Sequence, residues 1–181
     1  MRDINDISER HAEVNGLNFR EATALSQIET ISRLAGEVWR HHYMPIIGSK
    51  QVEYMLDRFQ SVDAIDSQIE AGLLYYLMLR GNQPLAYFAV LPSTEQKSLH
   101  ISKLYVDPSQ QHKGLGKRTL AFIEHQCRRR DLDQLWLTVN RHNHAAIGFY
   151  LRNGFVNTGS LVQDIGAGFV MDDFRMDKSL C

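Results

Sequence analysis

Two short stretches of this chain carry residue types and spacings that chemistry can use. The first is LYVDPSQQHKGLGKRTL, residues 104–120, where a strand-like end passes through a polar turn into Gly114, Gly116 and a basic helix start. The first turn of a helix has about four N–H groups without intrahelical partners and a partial positive charge, which makes it a seat for phosphate. Glycine lets an anion approach the main chain closely, and Lys113, Lys117 and Arg118 add positive charge at the same end. An ordinary strand–helix turn, with glycine for geometry and lysine for solubility, reads equally well. The second stretch is NHAAIGFYLRNG, residues 143–154, with Asn143 suited to cap a helix and Gly154 to stop it. Ala146, Ile147, Tyr150 and Leu151 share one face, so Tyr150 turns inward and its hydroxyl needs a partner. A core tyrosine bonded to a carbonyl satisfies the same pattern.

Two familiar phosphate loops do not fit the first stretch. A Walker-type loop requires glycine where Gln111 stands and Ser or Thr where Arg118 stands. A dinucleotide fingerprint requires a third glycine in the place of Thr119.

The elements that must position these residues follow from periodicity. A chain of 181 residues, 44% hydrophobic and 23% charged, is expected to form one domain, with residues 1 to about 17 as a partly helical extension. A strand from Asn18 leads to a helix through SQIETISRLAGEVWRHHY, where Ile28, Ile31, Leu34, Ala35 and Val38 recur at spacings of three and four. Val52, Met55, Leu56 and Phe59 repeat the pattern, and a short helix closed by Gly72 follows. The period then changes to that of strands. LLYYLMLRGNQPLAYFAVLP reads as two strands joined at Gly81-Asn82, and a third strand starts at Ser98. Beyond the glycine stretch come a helix to about Arg130, a strand QLWLTVN, a helix ending at Gly154 and strands near 155–162 and 168–176. The class is mixed α/β with a single, mostly antiparallel sheet and flanking helices. A strand–helix–strand connection is a parallel crossover that sets the helix start at the carboxyl ends of both strands, where ligands of open sheets collect.

Composition limits the partners. Twenty basic and twenty-one acidic side chains leave a formal charge of -1, which gives no footprint for nucleic acid or an anionic membrane. The longest apolar run, residues 73–79, falls far short of the roughly 20 residues of a membrane span. The start has no signal-peptide pattern, and Cys127 and Cys181 form no CxxC pair, which points to a reducing, cytoplasmic setting and no zinc site.

With the other phosphate loops excluded, Gln111-His112-Lys113-Gly114-Leu115-Gly116 after Leu104-Tyr105-Val106 resembles the acyl-CoA signature of GNAT superfamily N-acetyltransferases, Q/R-x-x-G-x-G/A behind a strand ending L-x-V. A second segment matches the family independently: Asn143, Ala146, Phe149, Tyr150, Gly154 and Phe155 follow its N-x-x-A-x-x-F-Y and closing G-F. The likeness extends from about Asn18 to the C-terminus. It implies the GNAT fold, with the sheet splayed between Ser98–Val106 and Gln134–Asn140. It also implies acetyl-CoA as cosubstrate without a metal, its pantetheine arm pairing near Leu104 and Val106 and its diphosphate on the amides of residues 112–117, including His112, Lys113 and Lys117. Tyr150 is the implied proton donor to the departing thiolate, and a phenol near pKa 10 beside a thiol near 8.5 is well matched for that. Asn143 is either a pure cap or a cap that also meets the pantetheine amide.

The resemblance leaves the base open. Many family members carry a glutamate on the strand before the signature, whereas this chain has His100, Ser102 and Lys103 there. A water relay or an acceptor already deprotonated would serve. On the acceptor side, WRHHYMPIIG offers His41, His42 and Tyr43, and Tyr54 and His100 join them as candidates; surface histidines and part-buried aromatics are the plainer account. His142 and His144 read as a solvated turn, since no third metal ligand follows at a suitable spacing. Arg128, Arg129 and Arg130 suit a helix C-terminus. Asp172 and Asp173 have the charge to attract an amine but read as a solvated strand edge.

The expected activity is transfer of an acetyl group from acetyl-CoA to a primary amine of a small molecule or peptide by direct attack, in a monomer or homodimer. The alternative is a non-catalytic acyl-CoA sensor or scaffold, which the missing strand carboxylate keeps open.

Overall fold

Sequence periodicity and backbone geometry agree over most of the chain in the computed structural model, which describes residues 11–14 and 16–181. The elements in chain order are β1 (His11–Val14), β2 (Leu17–Glu21), α1 (Leu25–Ile47), α2 (Ser49–Gln60), α3 (Val62–Glu70), β3 (Leu74–Arg80), β4 (Gln83–Ser93), β5 (Ser98–Val106), a 3-10 turn at Pro108–Gln110, α4 (Leu115–Arg129), β6 (Gln134–Asn140), α5 (His144–Arg152), β7 (Val156–Gly166) and β8 (Phe169–Ser179). The eight strands form one sheet in the order β1-β2-β3-β4-β5-β6-β8-β7. Pairing is antiparallel for β1–β2, β2–β3, β6–β8 and β7–β8, and parallel for β5–β6, the two strands that α4 connects.

The start of the chain differs from expectation. Residues 11–14 are strand rather than helix, with Val14 opposite Leu17 in the antiparallel ladder and Gly16 at φ +74°. Asn15-Gly16 is a strong short-range hairpin signal in the sequence. The expected extension over residues 1–10 lies outside the described residues.

The described residues group into two compact units, one of residues up to Ala89 with Lys103–Thr119, the other of Val90–Ser102 with Leu120–Cys181. In the first, β3 and β4 are buried on successive residues rather than alternate ones, as strands covered on both faces are. Their side chains include Tyr75, Tyr76, Met78, Leu85, Tyr87 and Phe88, with Tyr76 stacked on Phe88 at 4.9 Å. The apolar stripe of α1 is buried at Ile31, Leu34, Ala35 and Val38. The helix starts where Gln27 Oε1 accepts the N–H groups of Thr23 and Ala24, both at 2.9 Å, and it runs through Pro45 to Gly48, whose φ of +79° ends it. In the second unit, Leu135, Leu137 and Val139 of β6 alternate with half-buried residues, and the buried face of α4 carries Leu120, Phe122, Ile123, Gln126 and Cys127. Burial pushes the Cys127 thiol up to about 11, in keeping with a core residue.

Candidate active site

The first unit builds a loop with the geometry of an anion cradle. At the end of β5 the Asp107 N–H donates to Leu85 O at 2.9 Å, and its carboxylate accepts the Ser109 N–H at 2.8 Å, which starts the 3-10 turn. Gln111 is extended; His112 and Gly114 then take φ +62° and +73°, and α4 begins at Leu115. Left-handed residues alternating with others turn successive N–H groups toward one side, and a helix start adds its own. The first helical bond runs from the Arg118 N–H to Gly114 O at 3.1 Å, which leaves the N–H groups of residues 115–117 at the mouth of the helix. His112, Lys113, Gly114 and Lys117 are exposed, whereas Leu115 is buried and anchors the turn. A Cβ on Gly114 would meet open space, so glycine is required there by its φ rather than by crowding. Lys113 Nζ donates to Gln110 Oε1 at 3.0 Å and to Ser109 O at 3.3 Å, which folds it back along the loop.

Beside this loop in the chain, the first unit assembles a cluster of rings. Tyr105 lies 5.6 Å from Trp39, 6.2 Å from Tyr43 and 5.3 Å from Tyr87, and Tyr43 lies 4.7 Å from Trp39 and 4.9 Å from His42. Thus Tyr43 and His42 from the acceptor candidates meet Tyr105 from the cofactor candidates through Trp39 and Tyr87, two rings that belong to no motif in the sequence. Trp39 and Tyr87 are buried, while Tyr43, His42 and Tyr105 are half-buried. His41 is exposed, and Tyr54 on α2 lies 5.8 Å from the Arg58 guanidinium carbon. On the same strand as Tyr105, Lys103 is buried at 8% exposure, with Nζ donating to Gln68 Oε1 at 2.7 Å. Desolvation brings its ammonium down to about 8.

The second unit holds the other motif. Asn143 is 3% exposed and caps α5, its Oδ1 accepting the Ala146 N–H at 3.1 Å. Tyr150 is 8% exposed, edge-on to Phe149 at 5.2 Å and to Phe155 at 5.3 Å. Leu151, placed on the inward face by its spacing, is instead half exposed, because nine residues of α5 turn only a narrow stripe inward. His100 stacks on Trp136 with ring centroids 3.8 Å apart, and the Arg175 guanidinium carbon lies 4.4 Å from the centroid of the same Trp136 ring. The ladder between β5 and β6 is confined to Ser98–Gln134, Leu99–Leu135 and His100–Trp136, near the start of both strands.

Asp173 corrects the reading of a solvated edge. β8 lies between β6 and β7, and Asp173 opposes Asn140 at the end of β6, 4% exposed. Burial pushes its carboxyl up to about 6 against a hydrogen bond from Thr138. Its neighbour Asp172 pairs with Arg141 at 2.6 Å. Of the arginine run, Arg130 is bonded to Gln126, and Arg128 and Arg129 are exposed. Among the described residues, no group of three His, Cys, Asp or Glu is arranged to hold a metal, and no helix is long and apolar enough to cross a membrane.

Comparison with known proteins agrees with this architecture. The family model described as the acetyltransferase (GNAT) family matches residues 36–155. A spermidine N(1)-acetyltransferase of Thermoplasma acidophilum is 25% identical over 154 residues, 82% of this chain and 92% of its own. Among solved structures, a PaiA N-acetyltransferase of Thermoplasma acidophilum in complex with coenzyme A superposes with a TM-score of 0.72 at 22% identity, covering 90% of this chain and 98% of its own. A GCN5-related N-acetyltransferase structure from Rhodopseudomonas palustris gives 0.77 at 16% identity, with 94% and 99% covered. These two superpositions are likenesses of fold.

The chain belongs to the acetyltransferase (GNAT) family. Its enzymatic class is that of an acyltransferase acting in N-acetylation, with acetyl-CoA as the acyl donor. The loop at residues 111–117 fits that donor chemically, since a diphosphate needs converging N–H groups and exposed cations, and both stand there.

Proposed function

We propose that this protein transfers the acetyl group of acetyl-CoA to a primary amine of a small molecule or peptide by direct attack. The observation that carries the reading is the pair of left-handed residues, His112 and Gly114, set ahead of the α4 start. Residues 112–117 hold the diphosphate through main-chain N–H groups, with Gln111, Lys113 and Lys117 around it. Leu104, Tyr105 and Val106 carry the pantetheine arm along β5, and Asn143 meets it from the start of α5. Tyr150 protonates the departing thiolate; its burial between Phe149 and Phe155 holds the ring in one orientation.

The half-buried Tyr43, His42 and Tyr105 support an acceptor site at the ring cluster, with His41, Tyr54 and His100 as further candidates. Aromatic faces suit both a cationic amine and the chain that bears it. The named relative acts on spermidine, so polyamines are the first acceptors to try, followed by amino-acid and peptide amines. The test is thiol release from acetyl-CoA across such a panel, together with calorimetry of CoA binding. Release with at least one amine is expected; absence of CoA binding would overturn the reading.

A further inference from the structure

Within the second unit, the end of α5 that follows Tyr150 is held by a cation from another element. Lys178 on β8, the register partner of Leu135 on β6, reaches the last turn of the helix. Its Nζ donates to Asn153 O at 2.7 Å and to Glu124 Oε1 on α4 at 2.6 Å, and it lies 5.9 Å from the centroid of the Phe155 ring. A Cβ placed on Gly154 would meet Lys178 Cε at 3.5 Å, so the aliphatic stem runs along the turn that stops the helix. Lys178 and Glu124 each keep 19% side-chain exposure, whereas the ion pairs Arg33–Glu37 and Arg40–Glu53 are more than half exposed. Solvent screens those outer pairs strongly and this one less.

A helix of nine residues has few internal bonds, and the carbonyls of its last turn need donors from beyond it. Asn153 Nδ2 donates to Phe149 O at 2.8 Å, and the Gly154 N–H donates to Leu151 O at 3.1 Å. Tyr150 O accepts the N–H groups of Asn153 and Phe155 at 3.0 and 3.1 Å. Asn153 O in turn is taken by Lys178, whose charge also suits the negative end of the helix dipole. Tyr150 is therefore tied to this turn by its carbonyl and by its ring, edge-on to Phe155 at 5.3 Å, and Lys178 touches both attachments. Glu124 is oriented in its turn, with Oε2 at 3.9 Å from the Arg128 guanidinium.

We propose that Lys178 is a positioning residue for Tyr150: by joining the last turn of α5 to Glu124 on α4 and lying along Gly154 and Phe155, it fixes where the Tyr150 hydroxyl points. Its effect on turnover rests on the acetyl-transfer reading above, in which that hydroxyl protonates the thiolate; its effect on the helix end does not. Proton transfer needs donor and acceptor in line at hydrogen-bond distance, and a donor displaced by about 1 Å loses up to roughly 100-fold in rate. Binding of the acyl donor through main-chain N–H groups elsewhere is untouched by such a shift. The signature of the clamp is thus a loss in kcat with little change in the KM for acetyl-CoA.

The test compares the wild type with Lys178→Met, which keeps the stem and removes the ammonium, and with Glu124→Gln, which keeps an acceptor oxygen and removes the charge. Hydrogen exchange at the Asn153 and Phe155 amides reports the turn directly, since both donate to Tyr150 O. Relative to the interior amides of β6, they should exchange about 10-fold faster or more in Lys178→Met, and less than that in Glu124→Gln. Unchanged protection, or acceleration shared equally by β6, overturns the proposal. Kinetics with acetyl-CoA and spermidine, benzylamine and glycinamide as acceptor probes, well below the melting temperature of each variant, give the second readout. Lys178→Met should lose about 10- to 100-fold in kcat, with the KM for acetyl-CoA within about threefold of wild type. Adding Tyr150→Phe should cost little more, because both changes act through one hydroxyl. Wild-type kcat in Lys178→Met, or losses that multiply in the double variant, overturns the positioning role. Wild-type turnover in Tyr150→Phe, or no acetylation of any probe, is a failure of the acetyl-transfer reading instead, and hydrogen exchange then decides the clamp.

Discussion

Lys103 Nζ sits 2.7 Å from a neutral oxygen, Gln68 Oε1, in a site that admits almost no solvent. The consequence for stability has a definite sign. The folded-state pKa is lowered, so between about 8 and the unfolded value of 10.5 the unfolded chain binds more protons, and stability rises with pH across that window. Chemical denaturation of the wild type relative to Lys103→Met should show this gain, roughly 2–4 kcal/mol between pH 7.5 and 10.5. A constant difference between the two proteins over that range contradicts it.

Asp173 predicts the opposite slope at lower pH. Its folded pKa, about 6, lies above the 3.8 of a free aspartate, so the folded state binds more protons between these values and stability falls as pH rises through them. Asp173→Asn should therefore be more stable than the wild type at pH 7, by roughly 2–3 kcal/mol, and the advantage should vanish by pH 4. Urea midpoints at both pH values check the claim.

Tyr150→Phe keeps the ring that packs on Phe149 and Phe155 and removes the hydroxyl. Turnover should fall by about 100-fold while acetyl-CoA affinity changes little, because the lost interaction belongs to the proton transfer. Steady-state kinetics on the most active amine, beside calorimetry with CoA, makes the comparison. Equal turnover removes Tyr150 from the chemistry.

Gly114→Ala isolates backbone conformation from crowding, since the new Cβ meets open space while φ +73° penalises any L side chain. The expected cost is about 1–2 kcal/mol of stability, measured by thermal or urea unfolding, with weaker CoA binding as the loop relaxes. Unchanged stability and affinity would mean that the left-handed turn is not what the loop uses.

The two motifs, the strand-to-helix order and the parallel β5–β6 pair were legible because each has a short-range signature in glycine, asparagine or hydrophobic period. The β1–β2 hairpin has a signature as well, in Asn15-Gly16, but it lies in a polar start with little hydrophobic alternation to support it. The ring cluster was only half legible: Trp39 and Tyr43 are neighbours on one helix turn, but their meeting with Tyr87 and Tyr105 depends on how α1 lies over the strands. Lys103 and Asp173 were not legible as buried charges. A lysine or aspartate on a strand gives no local sign of its face when the strand, like β5, is flanked on both sides, or, like β8, has its partners set by a late hairpin. Leu151 shows the converse, an apolar residue that a short helix leaves outside.

Backbone amide shifts in 15N-labelled protein titrated with CoA test the diphosphate seat most directly. The largest saturable shifts should fall on His112 to Lys117, with the well-separated signals of Gly114 and Gly116 among them. Binding that leaves those six amides unmoved, or no binding at millimolar CoA, would contradict the account.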